Sequence, residues 1–251
     1  MHQIFKTGLS LTVMLTLGLS CTACSSDSPS ETSPTGTNTT TPPPSIVTEV
    51  VEMTSAATGK VWMDRNMGAS VACTQSVSDF ANTADYIVSQ KACFGDYYQW
   101  GRATDGHEKS DSTTTTEQAI NVLNVGHAKF IRGDVQYEDW AISADTDGVI
   151  RNANWNPCPT GFRIPTQDEL VAEKAGISNG NEAFVKLGLP MAGLRGSGGS
   201  LPNAQGISGQ IWSSEVSLFD HGAISFGFYS TASTVDGAYR AYGYSVRCIK
   251  Q

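Results

Sequence analysis

Four cysteines stand in the body of this 251-residue chain, Cys73, Cys93, Cys158 and Cys248, and their spacing decides between two chemistries. A zinc site needs thiolates or imidazoles in close pairs. No Cys-x-x-Cys pair occurs among the four, and no histidine is placed to complete a tetrahedron, so no metal site is expected. An even number of widely spaced cysteines in an exported protein reads instead as two disulfides. Four cysteines allow three pairings, and sequence alone does not choose among them. We favour Cys73–Cys93 and Cys158–Cys248, the first local and the second closing a long loop. On the loop-entropy model they stabilise by roughly 3 and 4.5 kcal/mol.

The other constellations have plainer readings. Asp145-Thr146-Asp147-Gly148 begins as a calcium loop begins, with alternate acids and a glycine. A full loop needs an oxygen ligand at its fifth position and a bidentate Glu at its twelfth. Val149 and Asn156 occupy those positions, so a solvated turn is expected. Arg195-Gly196-Ser197-Gly198-Gly199-Ser200 is glycine-rich, but no helix follows to offer its N-terminus to phosphate. His107, His127 and His221 neighbour no Ser or Cys nucleophile in a known pattern. The paired acids Asp168 and Glu169 are explained by helix capping. The reading is therefore of a non-enzymatic protein, with no catalytic residue and no cofactor. Trp140 and Trp155, in a long polar tract, are the candidate ligand-binding residues, because an exposed indole stacks on a sugar. The competing reading is that both rings pin the loops around them. Trp62, Trp100 and Trp212 read as core.

These residues need elements to position them. Ile46–Val51 and Lys60–Asp64 read as strands turning near Thr58-Gly59. Val77–Ala92 has Phe80, Ala84, Ile87 and Val88 at helical spacing. Residues 104–156 carry no sustained period and read as loops with one short helix at most. Thr166 followed three residues later by Glu169 is a capping box, so a helix is expected to Ala175, stopping at Gly176. A second helix, Glu182–Leu187, stops at Gly188. Ile211–Ser214, Ala223–Tyr229 and Tyr239–Ile249 read as strands, the last with Tyr242, Tyr244, Val246 and Cys248 on one face. Helices in the middle and strands at the ends make the class α+β.

The N-terminus carries an address. Lys6 precedes an apolar run from Leu9 to Leu19, too short for a membrane helix but suited to a signal peptide. The run ends in Ser20-Cys21-Thr22-Ala23-Cys24-Ser25-Ser26, which resembles a bacterial lipobox. Cys24 is the expected lipidation site and Cys21 the alternative, giving residues 1–23 as signal. Residues 24–45, rich in Ser, Thr and Pro, cannot bury apolar area and read as a disordered tether. The folded domain is expected over 46–251. Cleavage at Cys24 leaves 15 basic and 24 acidic residues, a net charge of −9, since only Lys6 is lost from the 16 basic residues. Such a balance repels phosphate backbones, so nucleic acid is not an expected partner. The membrane, through the lipid, is one.

Several segments then resemble one family. Gly59-Lys60-Val61-Trp62-Met63-Asp64-Arg65-Asn66-Met67-Gly68, Gly95–Arg102, Asp105-Gly106-His107-Glu108 and Asn156–Thr166 are similar, in order, to the Fibrobacter succinogenes major paralogous domain family. Met191-Ala192-Gly193, Trp212-Ser213-Ser214 and Gly243–Cys248 continue the likeness to the end of the body. Members of that family are typically exported lipoproteins or surface proteins. The same pattern resembles a wider group that includes the C-terminal domain of a collagen-like bacterial adhesin. The resemblance implies a C-type-lectin-like or formylglycine-generating-enzyme-like fold, a compact antiparallel sheet with two or three short helices and long loops. It also implies that Cys158 and Cys248 tie the middle of the domain to its last strand. A surface lipoprotein of the outer membrane, facing the cell surface or periplasm, is the expected setting, with recognition or adhesion toward polysaccharide or another surface protein. A structural envelope role is the alternative. An oxidase related to formylglycine-generating enzymes comes third, because it would need a close Cys pair near the C-terminus where only Cys248 stands.

Overall fold

The computed structural model describes residues 48–133, 139–142, 155–199, 201–218 and 221–251. Cys21, Cys24 and Asp145–Asp147 lie outside the described residues.

Among the described residues the fold is mixed α/β, with antiparallel sheets, three short α-helices and two disulfides. One sheet has four strands in the order β1 (Glu52–Thr54), β2 (Val61–Met63), β11 (Ile249–Lys250), β6 (Phe162–Arg163), all antiparallel. The last strand therefore enters between the beginning of the domain and its middle. A three-stranded antiparallel sheet comprises β7 (Ser208–Val216), β8 (Gly222–Tyr229) and β9 (Ser233–Tyr239). Two small pairs are also present: β3 (Tyr98–Gln99) with β10 (Gly243–Tyr244), and β4 (Thr114–Thr115) parallel to β5 (Phe130–Ile131).

Strand alternation sends neighbouring residues of β7 into different cores. Ile211 joins Trp62, Leu170, Leu187, Phe226 and Ile249 under the helices, while Trp212 joins Met63, Trp100, Tyr244, Val246 and Cys248 on the other side. This explains why β7 and β8 are buried on both faces.

The helices are α1 (Thr83–Gln90), α2 (Gln167–Lys174) and α3 (Gly180–Leu187). The expected capping box begins α2: the Glu169 amide donates to Thr166 Oγ1 at 3.2 Å, and the Thr166 amide to Glu169 Oε2 at 3.0 Å. Gly188 ends α3 in the left-handed region at φ 58°, as its glycine requires. Arg163 also grips the Glu169 carboxylate with two bonds of 2.7 and 2.8 Å. Glu173, one turn on, is 2% exposed yet fully engaged, accepting from the Ser55 and Thr58 hydroxyls and the Trp62 indole.

Three expected elements differ. The first strand lies at Glu52–Thr54, later than expected; the Val51 carbonyl still accepts from the Asp64 amide at 2.9 Å, but the Val50 and Val51 side chains are exposed. The expected helix 77–92 is shorter: a 3-10 turn capped by Ser76 and Asp79 precedes it, and Asn82 starts α1 afresh by accepting from the Asp85 amide. The last strand is broken: Tyr239 ends β9, a turn follows at Arg240–Ala241, and the inward Arg247 lies in the stretch that separates β10 from β11. The shared face is nevertheless kept, since Tyr244, Val246 and Cys248 are all core and Tyr242 packs against them.

Both disulfides join the favoured partners, Cys73–Cys93 and Cys158–Cys248. Arg247, 1% exposed, binds four acceptors: Asn66 Oδ1 (3.1 Å) and the carbonyls of Met63 (3.1 Å), Leu187 (2.8 Å) and Gly188 (3.0 Å).

Two outcomes follow for stability. Arg247→Met leaves several buried acceptors unmet, each costing about 1–3 kcal/mol, so the urea midpoint should fall by an equivalent of about 3 kcal/mol or more. Arg247→Lys should not restore it, because a point charge cannot reach four separated acceptors. The second concerns Glu169, whose carboxyl the Arg163 guanidinium holds down to about 2 against the opposing effect of burial. A depressed folded pKa contributes stability that is complete above the unfolded value and is lost as pH falls toward about 2. Glu169→Gln should flatten the acid limb of the stability–pH curve over that window; an unchanged limb would refute the assignment.

Candidate functional site

The site is built where β3 leaves the core. Gln99 is fully buried and uses its whole amide: Nε2 donates to Ile131 O (2.7 Å) and Ala241 O (2.9 Å), and Oε1 accepts from the Ile131 amide and from Arg102. Arg102, also fully buried, crosses to the neighbouring loop through the carbonyls of Lys129 (2.9 Å) and His127 (2.8 Å). Its Nε donates to Asp105 Oδ2 at 2.9 Å.

Asp105 closes an Asx turn. Its Oδ1 accepts from the His107 amide at 3.0 Å and from His107 Nδ1 at 2.8 Å. The other ring nitrogen, Nε2, accepts from the Gln99 amide at 3.1 Å. That pattern assigns the tautomer: Nδ1 carries the proton, and the imidazole is neutral. Burial pushes the ring below its ordinary pKa, outweighing the pull of Asp105. Glu108, 1% exposed, accepts from the Gly106 amide at 2.9 Å.

Asp105, His107 and Glu108 bring their ligand atoms close enough to suggest a metal. The bonding argues otherwise, since both imidazole nitrogens are already engaged and Asp105 holds the Arg102 guanidinium. The trio is a polar hub that fixes loops.

Asp105 alone carries the hub into the lining of a cleft of ≈ 340 Å³ between the turn after β3 and the loop 122–128, with Ala103, Val122, Leu123 and His127 among its walls. Asp105 is the floor residue with access to solvent, its side chain 26% exposed. Burial alone would raise its carboxyl, but the His107 bonds and the Arg102 charge outweigh that and hold it below the ordinary value. The cleft thus presents a fixed, ionised carboxylate beside an apolar rim.

The expected ligand-binding tryptophans require a correction. Trp140 is fully buried: its indole N–H donates to Trp100 O at 2.8 Å, and the Arg102 guanidinium lies 5.9 Å from its ring centroid. Trp155 is 4% exposed and packs edge-on against Trp100 at 5.6 Å. Neither ring offers a face to a sugar; both pin loops to the core, because a polar tract must spend its few large apolar groups on anchorage. Trp62, Trp100 and Trp212 are core as expected. Arg195 of the glycine-rich loop turns inward, stacking on Phe130 at 4.1 Å and bonding Ser112 and the Lys109 carbonyl. His221 lies 3.4 Å from Asp139, away from the cleft lining.

Nothing in the residue pattern alone singles out Gln99, Arg102 and Asp105 as a working group. The available signal was polar residues at short intervals beside Trp100 and an Asp-Gly-His turn. Comparison with family models, curated proteins and solved structures finds no match.

The hub makes a spectroscopic statement. In nitrogen NMR, His107 should stay the neutral Nδ1–H tautomer well below the ordinary histidine value near 6.5. Stability should then fall as pH drops below that value, because the unfolded chain takes a proton that the folded ring refuses. Titration of His107 at its ordinary pKa would overturn the assigned bonding.

Proposed function

We propose that the chain is an exported, lipid-anchored surface protein whose body is a C-type-lectin-like recognition domain of the major paralogous type, contacting polysaccharide through the cleft above Asp105. The observation that carries this is the cleft itself. The ionised Asp105 carboxylate gives the cleft a negative edge toward sugar hydroxyls, while Val122 and Leu123 supply an apolar wall for the C–H face of a ring. The placement of β11 against β2 and the Cys158–Cys248 bond support the lectin-like reading of the fold. The disulfides and the leader-like N-terminus support export. The net charge of −8 weighs against anionic partners. The oxidase alternative has little support, because Cys158 and Cys248 are joined to each other.

A second reading, a structural or protein-binding envelope component, draws on one observation. Ile120, Leu123 and Ile142 are exposed by 86, 57 and 60%, and the bridge Ala119–Ala141 pairs the residues that precede Ile120 and Ile142. Such a patch suits a protein surface as well as a ligand.

The test is a panel of soluble polysaccharides and glycans titrated against the full chain and Leu123→Asp, with and without calcium. Saturable binding weakened about tenfold or more by the substitution, with the circular dichroism spectrum unchanged, is the expected result. Absence of binding across the panel would sink the polysaccharide reading. Self-association lost in Leu123→Asp would transfer the patch to the second reading.

A further inference from the structure

One cluster outside the cleft contains an amine, a carboxyl group and a second acid in contact. Lys109 Nζ lies 2.7 Å from Asp96 Oδ2, and Glu108 Oε1 lies 3.8 Å from the same nitrogen. Asp96 and Glu108 are 8 and 1% exposed. The partners are 13 residues apart in sequence, one at the entry to β3 and one in the turn beyond the hub.

The backbone on both sides is held. The Asp96 amide donates to Met67 O at 2.9 Å, and Asp96 packs so closely on Gly68 that a Cβ there would meet Oδ2 at 2.0 Å. The Lys109 carbonyl accepts from the buried Arg195 at 3.2 Å. Amine and carboxyl group are thus kept together by the fold, the condition under which an intramolecular reaction gains a large effective concentration.

We propose that Lys109 and Asp96 condense to a covalent amide, Nζ to Cγ, with Glu108 as the proton relay. The ion pair first passes a proton from the ammonium to the Asp96 carboxylate, giving neutral amine and neutral acid. The amine lone pair forms the N–Cγ bond. Glu108 takes a proton from that nitrogen and delivers it to the departing hydroxyl, the Cγ–O bond breaks, and one water leaves. Glu108 ends as it began, and no oxidant or cofactor enters. Burial raises the Asp96 carboxyl against the opposing Lys109 charge, which favours the neutral acid that the reaction needs. The Lys109 side chain is 40% exposed, so the released water has an exit.

The product would close a small ring that welds the entry to β3 to the base of the loop layer. This inference does not depend on what the cleft binds.

The test is peptide mass spectrometry of the full chain, reduced, alkylated, unfolded and digested with trypsin. Arg102 remains cleavable, but an amidated Lys109 does not. The expected product is residues 92–102 joined to residues 103–129, lighter by one water than the two peptides together. Lys109→Arg should abolish the joined species. Glu108→Gln, which keeps the amine and its carboxyl partner, should reduce it at least tenfold in freshly folded protein. Quantitative recovery of free peptides 92–102 and 103–109 from the unsubstituted chain would overturn the proposal and leave a salt bridge. Full joining in Glu108→Gln would overturn the relay.

Discussion

Arg247 joins parts of the chain that are far apart in sequence. Its guanidinium meets the carbonyl of Met63 after β2, the side chain of Asn66, and the last carbonyls of α3 at Leu187 and Gly188. The carbonyls of Met63, Leu187 and Gly188 face inward and take their bonds from this side chain. A buried acceptor left unmet costs more than a typical bond returns. Guanidinium is suited to the task, because it offers five donors in one plane and binds separated oxygens at once. Arg102 and Arg195 repeat the device at the loop layer, each buried and each satisfied largely by main-chain carbonyls. Such arginines replace regular secondary structure as the means of satisfying the backbone.

That substitution sets what could be read from residue order. Features with short-range causes were legible. Thr166 and Glu169 act within one turn, and Gly188 needs only its own backbone freedom, so both helix boundaries appear as expected. The buried face of the tail was legible because alternation survives the break in its ladder. Features caused at long range were not. Nothing near Trp140 in sequence announces that Arg102 lies beside its ring. Likewise Glu173, an ordinary helix acid by pattern, is buried because Ser55, Thr58 and Trp62 arrive from the first hairpin. The cleft over Asp105 has the same origin, since its floor and its wall come from segments whose meeting depends on Gln99 and Arg102.

The division of labour is therefore spatial. Helices, strands and both disulfides belong to a frame whose contacts are dense, and the residues between β3 and β5 form a layer whose shape is held by polar hubs. A hub of hydrogen bonds is directional where apolar packing is not. Replacing rim residues such as Leu123 can change what the cleft contacts without disturbing the bonds beneath it.

The position of β11 has a temporal consequence. A chain made, or threaded through a pore, from its N-terminus outward presents β2 and β6 long before the strand that belongs between them. The slot stays empty until Ile249 and Lys250 emerge. Cys73 can find Cys93 after 20 residues, whereas Cys158 must wait for a partner 90 residues later. The four-stranded sheet and the Cys158–Cys248 bond are therefore the last parts of the frame to close, after the three-stranded sheet has been made.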